Sequence, residues 1–203
     1  MISLNLSAHS WLNAPAHTAW RLAEAQRLLA FAKAAKLPDG FGNLDAKGQL
    51  TPGACAETMN TARMTHCFAL AHLQGIPGSL AYAEHGVAAL RGAMQDASYG
   101  GWFAHPGGQE DSGKAVYLHA FVALAASSAV VAGAADAQLL LADATEVLET
   151  HFWSEAKGAL RETFSRAWQL PEPYRGANSN MHATEAFLAL ADATGNSLWL
   201  QRA

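Results

Sequence analysis

The amino-acid sequence predicts an all-α protein built from a repeated pair of helices. Alanine-rich stretches with apolar residues at helical spacing recur along the 203 residues. Alternating runs rich in Val, Ile and Thr, which would indicate strands, are scarce. The same succession of features also returns at a regular interval along the chain. We therefore expect a single domain over residues 1–203, in which each helix pair packs against the next.

Seven helices are predicted from the apolar spacing and from the abundance of alanine, the residue with the highest helix propensity. In chain order they are His17–Lys36, Ala54–Leu73, Pro77–Gln95, Lys114–Val131, Ala135–His151, Asn178–Ala193 and a last helix that starts at Ser197.

A short sequence pattern marks the end of three of these helices. Phenylalanine, small apolar residues and then a glycine occur at Phe68 to Gly75, Phe121 to Gly133 and Phe187 to Gly195, and the glycines are 58 and 62 residues apart. Each glycine lies where a helix would end in the left-handed conformation, which glycine enters at the lowest cost. The pattern predicts a short turn between the two helices of each pair.

A longer connection, with glycine and aromatic residues, precedes each helix that carries this pattern. The three connections contain Gly40–Gly48, Tyr99–Phe103 and Trp153–Gly158. Repeats of 20 to 60 residues are typical of solenoids and closed toroids. With short and long connections in alternation, the long ones lie together at one end of the stack, where we expect a binding site.

Composition excludes several classes of partner. Net charge is −4 with an isoelectric point near 6.1, and the 13 Lys and Arg residues are scattered, so we expect no nucleic-acid partner.

The two cysteines, Cys55 and Cys67, fit neither a redox pair nor zinc-ligand spacing. The first residues, Met1 to Ala16, lack the basic segment followed by an apolar run that is typical of a signal peptide. We predict a cytoplasmic protein.

One uncharged stretch is long enough to test for a membrane span. Ala115 to Ala135 contains 21 residues without a charge. Ala, Ser and Gly dominate it, and it also carries Tyr117 and His119, so its transfer into a bilayer would be poor. We interpret it as a helix surrounded by other helices and predict no membrane association.

Six motifs along the chain resemble those of one enzyme family, the N-acylglucosamine 2-epimerase family, and most closely its sulfoquinovose and mannose isomerases. They are Gly40-Phe-Gly42, Thr61-Ala-Arg-Met64, Tyr99-Gly-Gly-Trp102, Lys114-Ala-Val-Tyr-Leu-His119, Phe152-Trp-Ser-Glu155 and Tyr174-Arg-Gly-Ala-Asn-Ser-Asn-Met-His182. Their order and spacing match over essentially the whole chain, and the combination of the second and the sixth is the most specific.

The resemblance implies an α/α toroid, a ring of six helix pairs with inner helices around a pocket. At the observed repeat length, 203 residues supply about three and a half pairs, which corresponds to the amino-terminal half. A carboxy-terminal half, a second copy or another chain would have to complete the ring.

The resemblance also implies a site for a sugar. Arg63, Tyr117, Asn178 and His182 would point at the substrate from three successive inner helices, with His182 and Arg63 as catalytic residues. An aromatic residue of the family is replaced here by Met59. The two histidines most often assigned to proton transfer in the family resemble residues of the second half of the ring, beyond this sequence.

Interconversion of an aldose and a ketose, or of C2 epimers, needs few kinds of group. A proton moves through an enediolate, so the reaction requires a base that titrates near neutrality, which histidine provides. The developing oxyanion requires a preplaced donor, such as the guanidinium of Arg63 or the hydroxyl of Tyr117. No metal or other cofactor is required.

Each site residue also has a purely structural interpretation. Arg63 could pair with Glu57 or another acid, and His119 could be a hydrogen-bonded core residue rather than a substrate contact. His182 and Glu185 have a spacing that can serve a metal, but we favour a hydrogen bond between them.

Aromatic and capping roles leave further alternatives. Trp102 and Trp153 could stack on a sugar or close the ends of helix pairs, and we favour the second role for Trp153. Asn178 and Ser179 could be helix caps.

Two other functions compete with the isomerase. A noncatalytic helical-repeat module would bind protein or sugar without turnover. A glycoside hydrolase would need two suitably placed carboxylates. The inner-helix starts carry Arg, Tyr, His and Asn instead, and acids near them, Asp111 and Glu172, lie in predicted loops without motif support.

Overall fold

The chain is described by a computed structural model at residues 11–108, 113–169 and 171–203. Within these ranges the α-helices are α1 (Pro15–Ala32), α2 (Thr58–Leu73), α3 (Ser79–Arg91), α4 (Val116–Val131), α5 (Ala137–Val147), α6 (Ala177–Thr194) and α7 (Ser197–Arg202). All seven predicted helices are confirmed.

Helix ends differ from prediction where other backbone interactions compete. Residues 54–57 form no part of α2, because the chain there is extended and Glu57 donates its N–H to the Phe41 carbonyl. The helix α3 ends at Arg91, before Gly92. The helix α5 ends at Val147 and continues as one π-helical turn over Leu148–Phe152.

Short strands, absent from the prediction, tie the connections together. The pairs are antiparallel: β1 (Lys36–Leu37) with β2 (Gly40–Phe41), β3 (Lys114–Ala115) with β6 (Thr163–Phe164), and β4 (Trp153–Ser154) with β5 (Ala159–Leu160). Two-residue strands are too short to show an alternating pattern, and the β3–β6 pair joins residues nearly fifty positions apart. Their existence depends on where the helices place the connections.

The helices lie in two layers. One layer, called the inner layer below, contains α2, α4 and α6, with α4 packed between the other two. The helices α3, α5 and α7 each pack on the helix that precedes them. The turn within each pair ends the first helix as predicted: Gly75, Gly133 and Gly195 have φ values of +78°, +72° and +69°. The pairs are therefore α2–α3, α4–α5 and α6–α7.

The central helix α4 holds the largest hydrophobic core together. Thirteen of its sixteen residues are buried, against α2 and α6 in its own layer and α5 behind it. This confirms that the uncharged stretch is an enclosed helix. Across the described ranges, no helix combines the length and the apolar character that a bilayer span requires.

The first helix has a different environment. None of the residues described in α1 is buried, and Trp20, Leu22 and Leu28 are 61%, 57% and 52% exposed. With three pairs and this single helix, the described chain contains the three and a half pairs expected from its length.

Candidate active site

Residues from α2 and α4 meet at a patch of the inner layer where Arg63 is exposed and Tyr117 is half-buried. The Arg63 guanidinium Nη2 donates to the Tyr117 hydroxyl at 3.2 Å, and its Cζ lies 4.3 Å from the centre of the Phe121 ring. A phenol oxygen that accepts this bond keeps its own proton available for another acceptor. The pair thus presents a fixed cation and a hydroxyl donor side by side.

The third helix, α6, adds an imidazole to the same patch. His182 packs edge-on against Tyr117, with ring centres 5.2 Å apart, and against Phe121 at 4.7 Å. Its Nδ1 lies 3.2 Å from a carboxylate oxygen of Glu185. The structure therefore brings together Arg63, Tyr117 and His182, three side chains separated by 54 and 65 positions in the sequence.

Two further residues flank this cluster along the helices. Asn178 is exposed in the first turn of α6, one turn before His182, so both side chains project from the same side of the helix. Met59 precedes Arg63 by one turn of α2 and is half-buried against the core. The cluster and its flanking residues all lie in the first two turns of α2, α4 and α6, where the positive ends of the helix dipoles favour negative charge.

A buried ion pair fixes the start of α4 and therefore the position of Tyr117. Lys114 in β3 donates to Asp96 at 2.9 Å, and the two side chains are 0% and 1% exposed. Arg166 also donates to Asp96, at 2.8 Å, and the backbone N–H groups of Ser98 and Tyr99 complete the set of donors.

This arrangement controls the charge of its members. Burial raises the pKa of Asp96, but the hydrogen bonds from Arg166 and Lys114 outweigh it and hold that pKa well below the ordinary value. Burial lowers the pKa of Lys114, against the opposing effect of Asp96. The ionised pair joins three connections that are distant in sequence.

His119 belongs to the core, so its prediction as a substrate contact is corrected. The residue is 1% exposed, and its ring lies between the backbone N–H of Trp102, which donates to Nε2 at 3.1 Å, and the Ala115 carbonyl, which is 2.7 Å from Nδ1. Since Nε2 accepts, Nδ1 must donate, and the ring is neutral. Burial lowers the pKa of His119 to about 3.

Trp102 is likewise a core residue rather than a sugar-stacking one. It is 1% exposed, and its indole N–H donates to the Leu90 carbonyl at 2.7 Å. Trp153 packs on Phe187 with ring centres 6.0 Å apart and lies 4.8 Å from the guanidinium of Arg202. Both tryptophans therefore close helix pairs, as expected for Trp153.

The start of α6 is held by a residue that the sequence did not suggest. Gly176, not Asn178 or Ser179, occupies the N-cap position, and no side chain caps the helix locally. Instead the Glu162 carboxylate accepts from the Gly176 N–H at 2.9 Å and from the Ser179 hydroxyl. A carboxylate favours a helix N-terminus because of the helix dipole, but no local pattern links it to a cap fourteen positions away.

The proposed pairing of Arg63 with Glu57 is not found. The Glu57 carboxylate accepts from the side-chain amides of Asn43 at 2.6 Å and Asn60 at 3.2 Å. No ion pair within residues 11–108, 113–169 and 171–203 includes Arg63. Its charge is therefore directed at the exposed face of the patch.

Other candidate chemistries find little support. Of the acids considered for glycoside hydrolysis, Asp111 lies outside the described residues, and Glu172 is an exposed loop residue that accepts from the Thr163 hydroxyl at 2.9 Å. In the part of the chain that the structure describes, no three His, Cys, Asp or Glu side chains are grouped to hold a metal ion. His182 and Glu185 form the hydrogen bond that we favoured over a ligand role.

Another histidine, His66, lies one turn after Arg63 on α2. His66 Nδ1 is 2.6 Å from the Ser128 hydroxyl on α4. Burial lowers the pKa of His66, while the Glu185 carboxylate opposes that shift. Next to it, burial raises the pKa of the Cys67 thiol, and the charge of Arg63 opposes the rise. The sequence motifs do not include His66, since its relation to the site depends on packing between α2, α4 and α6.

Comparison with known proteins relates this site to sugar isomerases. A sequence model described as N-acylglucosamine 2-epimerase (GlcNAc 2-epimerase) matches residues 40–203. A D-mannose isomerase of Pseudomonas cannabina pv. alisalensis is 61% identical over 98% of this chain and 48% of its own length. A D-mannose isomerase of Thermobifida fusca is 51% identical over 95% and 48%.

A solved structure supports the same relationship at the level of the fold. The crystal structure of a D-mannose isomerase superposes with a TM-score of 0.83 and 31% identity, and the match covers 91% of this chain and 48% of that one. The chain thus spans about half the length of the relatives that it matches, which agrees with half of an α/α toroid.

Proposed function

We propose, since the chain belongs to the N-acylglucosamine 2-epimerase family, that it contributes half of the active site of a sugar isomerase or epimerase. The substrate would be an unphosphorylated hexose or a hexose derivative. The convergence of Arg63, Tyr117 and His182 from three consecutive helices on one exposed patch carries this proposal. D-mannose is the first substrate to test, because it is the sugar named for the relatives that are 61% and 51% identical.

The reaction would be a proton transfer between neighbouring carbons. A base removes the proton from C2 of the aldose, the electron pair of that C–H bond forms a C1–C2 double bond, and the π electrons of the C1 carbonyl move onto O1, which gives an enediolate. The ketose forms when the O2 hydroxyl proton moves to O1 and a proton returns to C1. The epimer forms when a proton returns to the other face of C2 and the C1 carbonyl forms again. Charge accumulates on the oxygens in both cases.

The residues on the patch suit these steps. The Arg63 guanidinium and the Tyr117 hydroxyl are held against each other and donate toward a developing oxyanion, where fixed donors stabilise the transition state more than the ground state. His182 would exchange a proton with the sugar, and Asn178 would hydrogen-bond a hydroxyl group. The positive ends of the three inner helices would add to the stabilisation of negative charge.

Proton exchange in heavy water tests this function directly. The full-length protein that carries this chain is incubated with D-mannose, glucose derivatives and sulfoquinovose, and loss of the C2 proton signal is followed by NMR. We expect deuterium at C2 of at least one sugar, because the group that takes the C2 proton exchanges it with solvent before the enediolate is protonated again. No exchange in any sugar would instead favour the noncatalytic binding module.

Two substitutions test whether this patch performs the reaction. We expect His182→Ala and Arg63→Met to lower kcat/KM by about 100-fold or more, as for the loss of a proton-transfer group or an oxyanion donor, with unchanged helical circular dichroism. Arg27→Met is the control, because Arg27 pairs with Glu24 on the exposed surface of α1. Parental rates in both site variants would remove these residues from the site.

The proposal also covers the cell compartment and the completion of the ring. We propose a cytoplasmic enzyme, in line with two cysteines that are free thiols in the structure. We also propose that the ring is completed by a carboxy-terminal half or by another chain, since the relatives are about twice as long as the matched region.

A further inference from the structure

Glu185 contacts His182 beside the patch, and the function proposed above gives it no role. It lies one turn after His182 on α6, with Oε2 at 3.2 Å from His182 Nδ1. Its side chain is 53% exposed, whereas that of His182 is 20% exposed. The carboxylate is therefore solvated while the imidazole that it contacts is largely enclosed.

The imidazole is held in place on its other sides. Tyr117 packs on it at an interplanar angle of 87° and Phe121 at 45°, and Tyr117 is itself bound to Arg63. A surface pair with the same spacing normally has two mobile partners and contributes little. Here one partner is fixed by aromatic contacts, so the hydrogen bond determines how the ring presents its second nitrogen.

We propose that Glu185 is the positioning residue of His182, and that it keeps the proton of the neutral imidazole on Nδ1. An ionised carboxylate can only accept, so the Nδ1–H must donate to it. Nε2 is then unprotonated and faces the sugar as an acceptor. This inference rests on the proposed function, because it assigns a tautomer to one imidazole of that site.

The surroundings contain several other charged groups. From α2, Arg63 and His66 face this region, and from α4 the Tyr117 hydroxyl does so. Arg202, on the neighbouring helix α7, is bound instead by Glu149 and Glu155. Among these groups, Glu185 is the residue whose carboxylate contacts the His182 ring.

The tautomer can be measured without any substrate. Long-range ¹⁵N–¹H correlation spectra of the full-length protein report which ring nitrogen of His182 carries the proton, with His182→Ala to assign the signals. We expect the Nδ1–H form in the parent and a shift to the Nε2–H form, the ordinary preference of free imidazole, in Glu185→Ala. A parent with its proton on Nε2 would overturn the proposal.

Turnover gives an independent readout of the same role. We expect Glu185→Ala to lower kcat by about tenfold or more with KM within about twofold, as for loss of a group that orients a catalytic histidine. Glu185→Asp, which keeps a carboxylate on a shorter arm, should recover part of the loss. Glu149→Gln is the matched control, because it removes a carboxylate that binds Arg202 on α7 rather than His182.

The two proposals can fail separately. An Nδ1–H tautomer that depends on Glu185 in a protein without C2 exchange would leave the positioning intact and reject the isomerase. C2 exchange with unchanged kcat in Glu185→Ala would reject the positioning and retain the isomerase.

Discussion

At the scale of single residues, environment separates histidines that are equivalent in the sequence. His119 has both ring nitrogens bound inside the core, and burial lowers its pKa to about 3. His66 is half-buried against Ser128. His182 faces the patch beside a carboxylate. The chemistry of each ring follows from its neighbours rather than from its place in a motif.

The neutral state of His119 predicts a pH dependence of stability. In the unfolded chain this residue has its ordinary pKa near 6.5, and in the folded chain about 3. Between these pH values the unfolded state binds more protons than the folded state. The contribution of His119 to the free energy of unfolding is therefore fully present above pH 6.5 and is lost as the pH drops toward 3. We expect the slope of the free energy of unfolding in His119→Gln to be shallower than in the parent by about 1.4 kcal/mol per pH unit.

Urea unfolding at several pH values from 4 to 7 measures this slope. Ser127→Ala is the control, because Ser127 is buried on the same helix and carries no titrating group, and we expect it to keep the parental slope. Equal slopes for the parent and His119→Gln would show that the ring is protonated in the folded protein.

At the scale of the elements, helix pairs are built by close approach and by their turns. Gly86 on α3 lies against Thr65 on α2, and a Cβ added at Gly86 would lie 1.9 Å from the Thr65 hydroxyl oxygen. The turns that end α2, α4 and α6 use glycines with positive φ, at which an added Cβ would meet nothing within 4 Å. The glycines of the turns are needed for a left-handed backbone conformation, whereas Gly86 is needed because α2 and α3 pack closely there.

Gly86→Ala tests this packing. Alanine is favoured over glycine within a helix by about 1 kcal/mol, but the overlap with Thr65 must displace one helix or the side chain. We expect a net loss of about 1–3 kcal/mol in the free energy of unfolding, typical of overpacked cores, measured by urea unfolding.

A double-mutant cycle gives the physical reason for that loss. Combination with Thr65→Ala removes the overlapping hydroxyl, so we expect the double variant to regain part of the lost stability. Additive losses from the two substitutions would show that the contact between α2 and α3 does not limit the space at Gly86.

At the scale of the whole molecule, the chain forms an incomplete ring with an uncovered first helix. Three helix pairs bury their faces against one another, whereas α1 leaves Trp20, Leu22 and Leu28 largely exposed. In the patch, Arg63 is also exposed. We expect the second half of a complete toroid to cover both surfaces.

This openness predicts association of the 203-residue chain when it is produced by itself. Exposed apolar surface of this extent favours self-contact, so we expect light scattering after size exclusion to give a mass above the monomer value of 21.4 kDa. Trp20→Ser combined with Leu28→Ser should shift the mass toward the monomer. Leu139→Ser, a similarly exposed leucine on α5, is the control, and an equal shift in it would contradict a specific role of α1.

The features that could be predicted from the sequence are those that depend on neighbouring residues. Helix propensity, apolar spacing and the glycines at 75, 133 and 195 act over a few neighbouring residues, so all seven helices and their pairing by short turns follow from the sequence alone. The motifs also identified Arg63, Tyr117 and His182, whose convergence required three helices to pack in order.

Other features depended on contacts between distant segments. Three such contacts join residues that lie 14 to 18 positions apart. They are the hydrogen bond between Trp102 and His119, the bond from Gly176 to the Glu162 carboxylate at the start of α6, and the ion pair of Asp96 with Lys114. A sequence pattern reports which side of a helix is apolar, but only packing decides whether a polar side chain meets solvent, substrate or a partner within the core. The tertiary structure therefore separated the residues that face the patch from those that hold it in place.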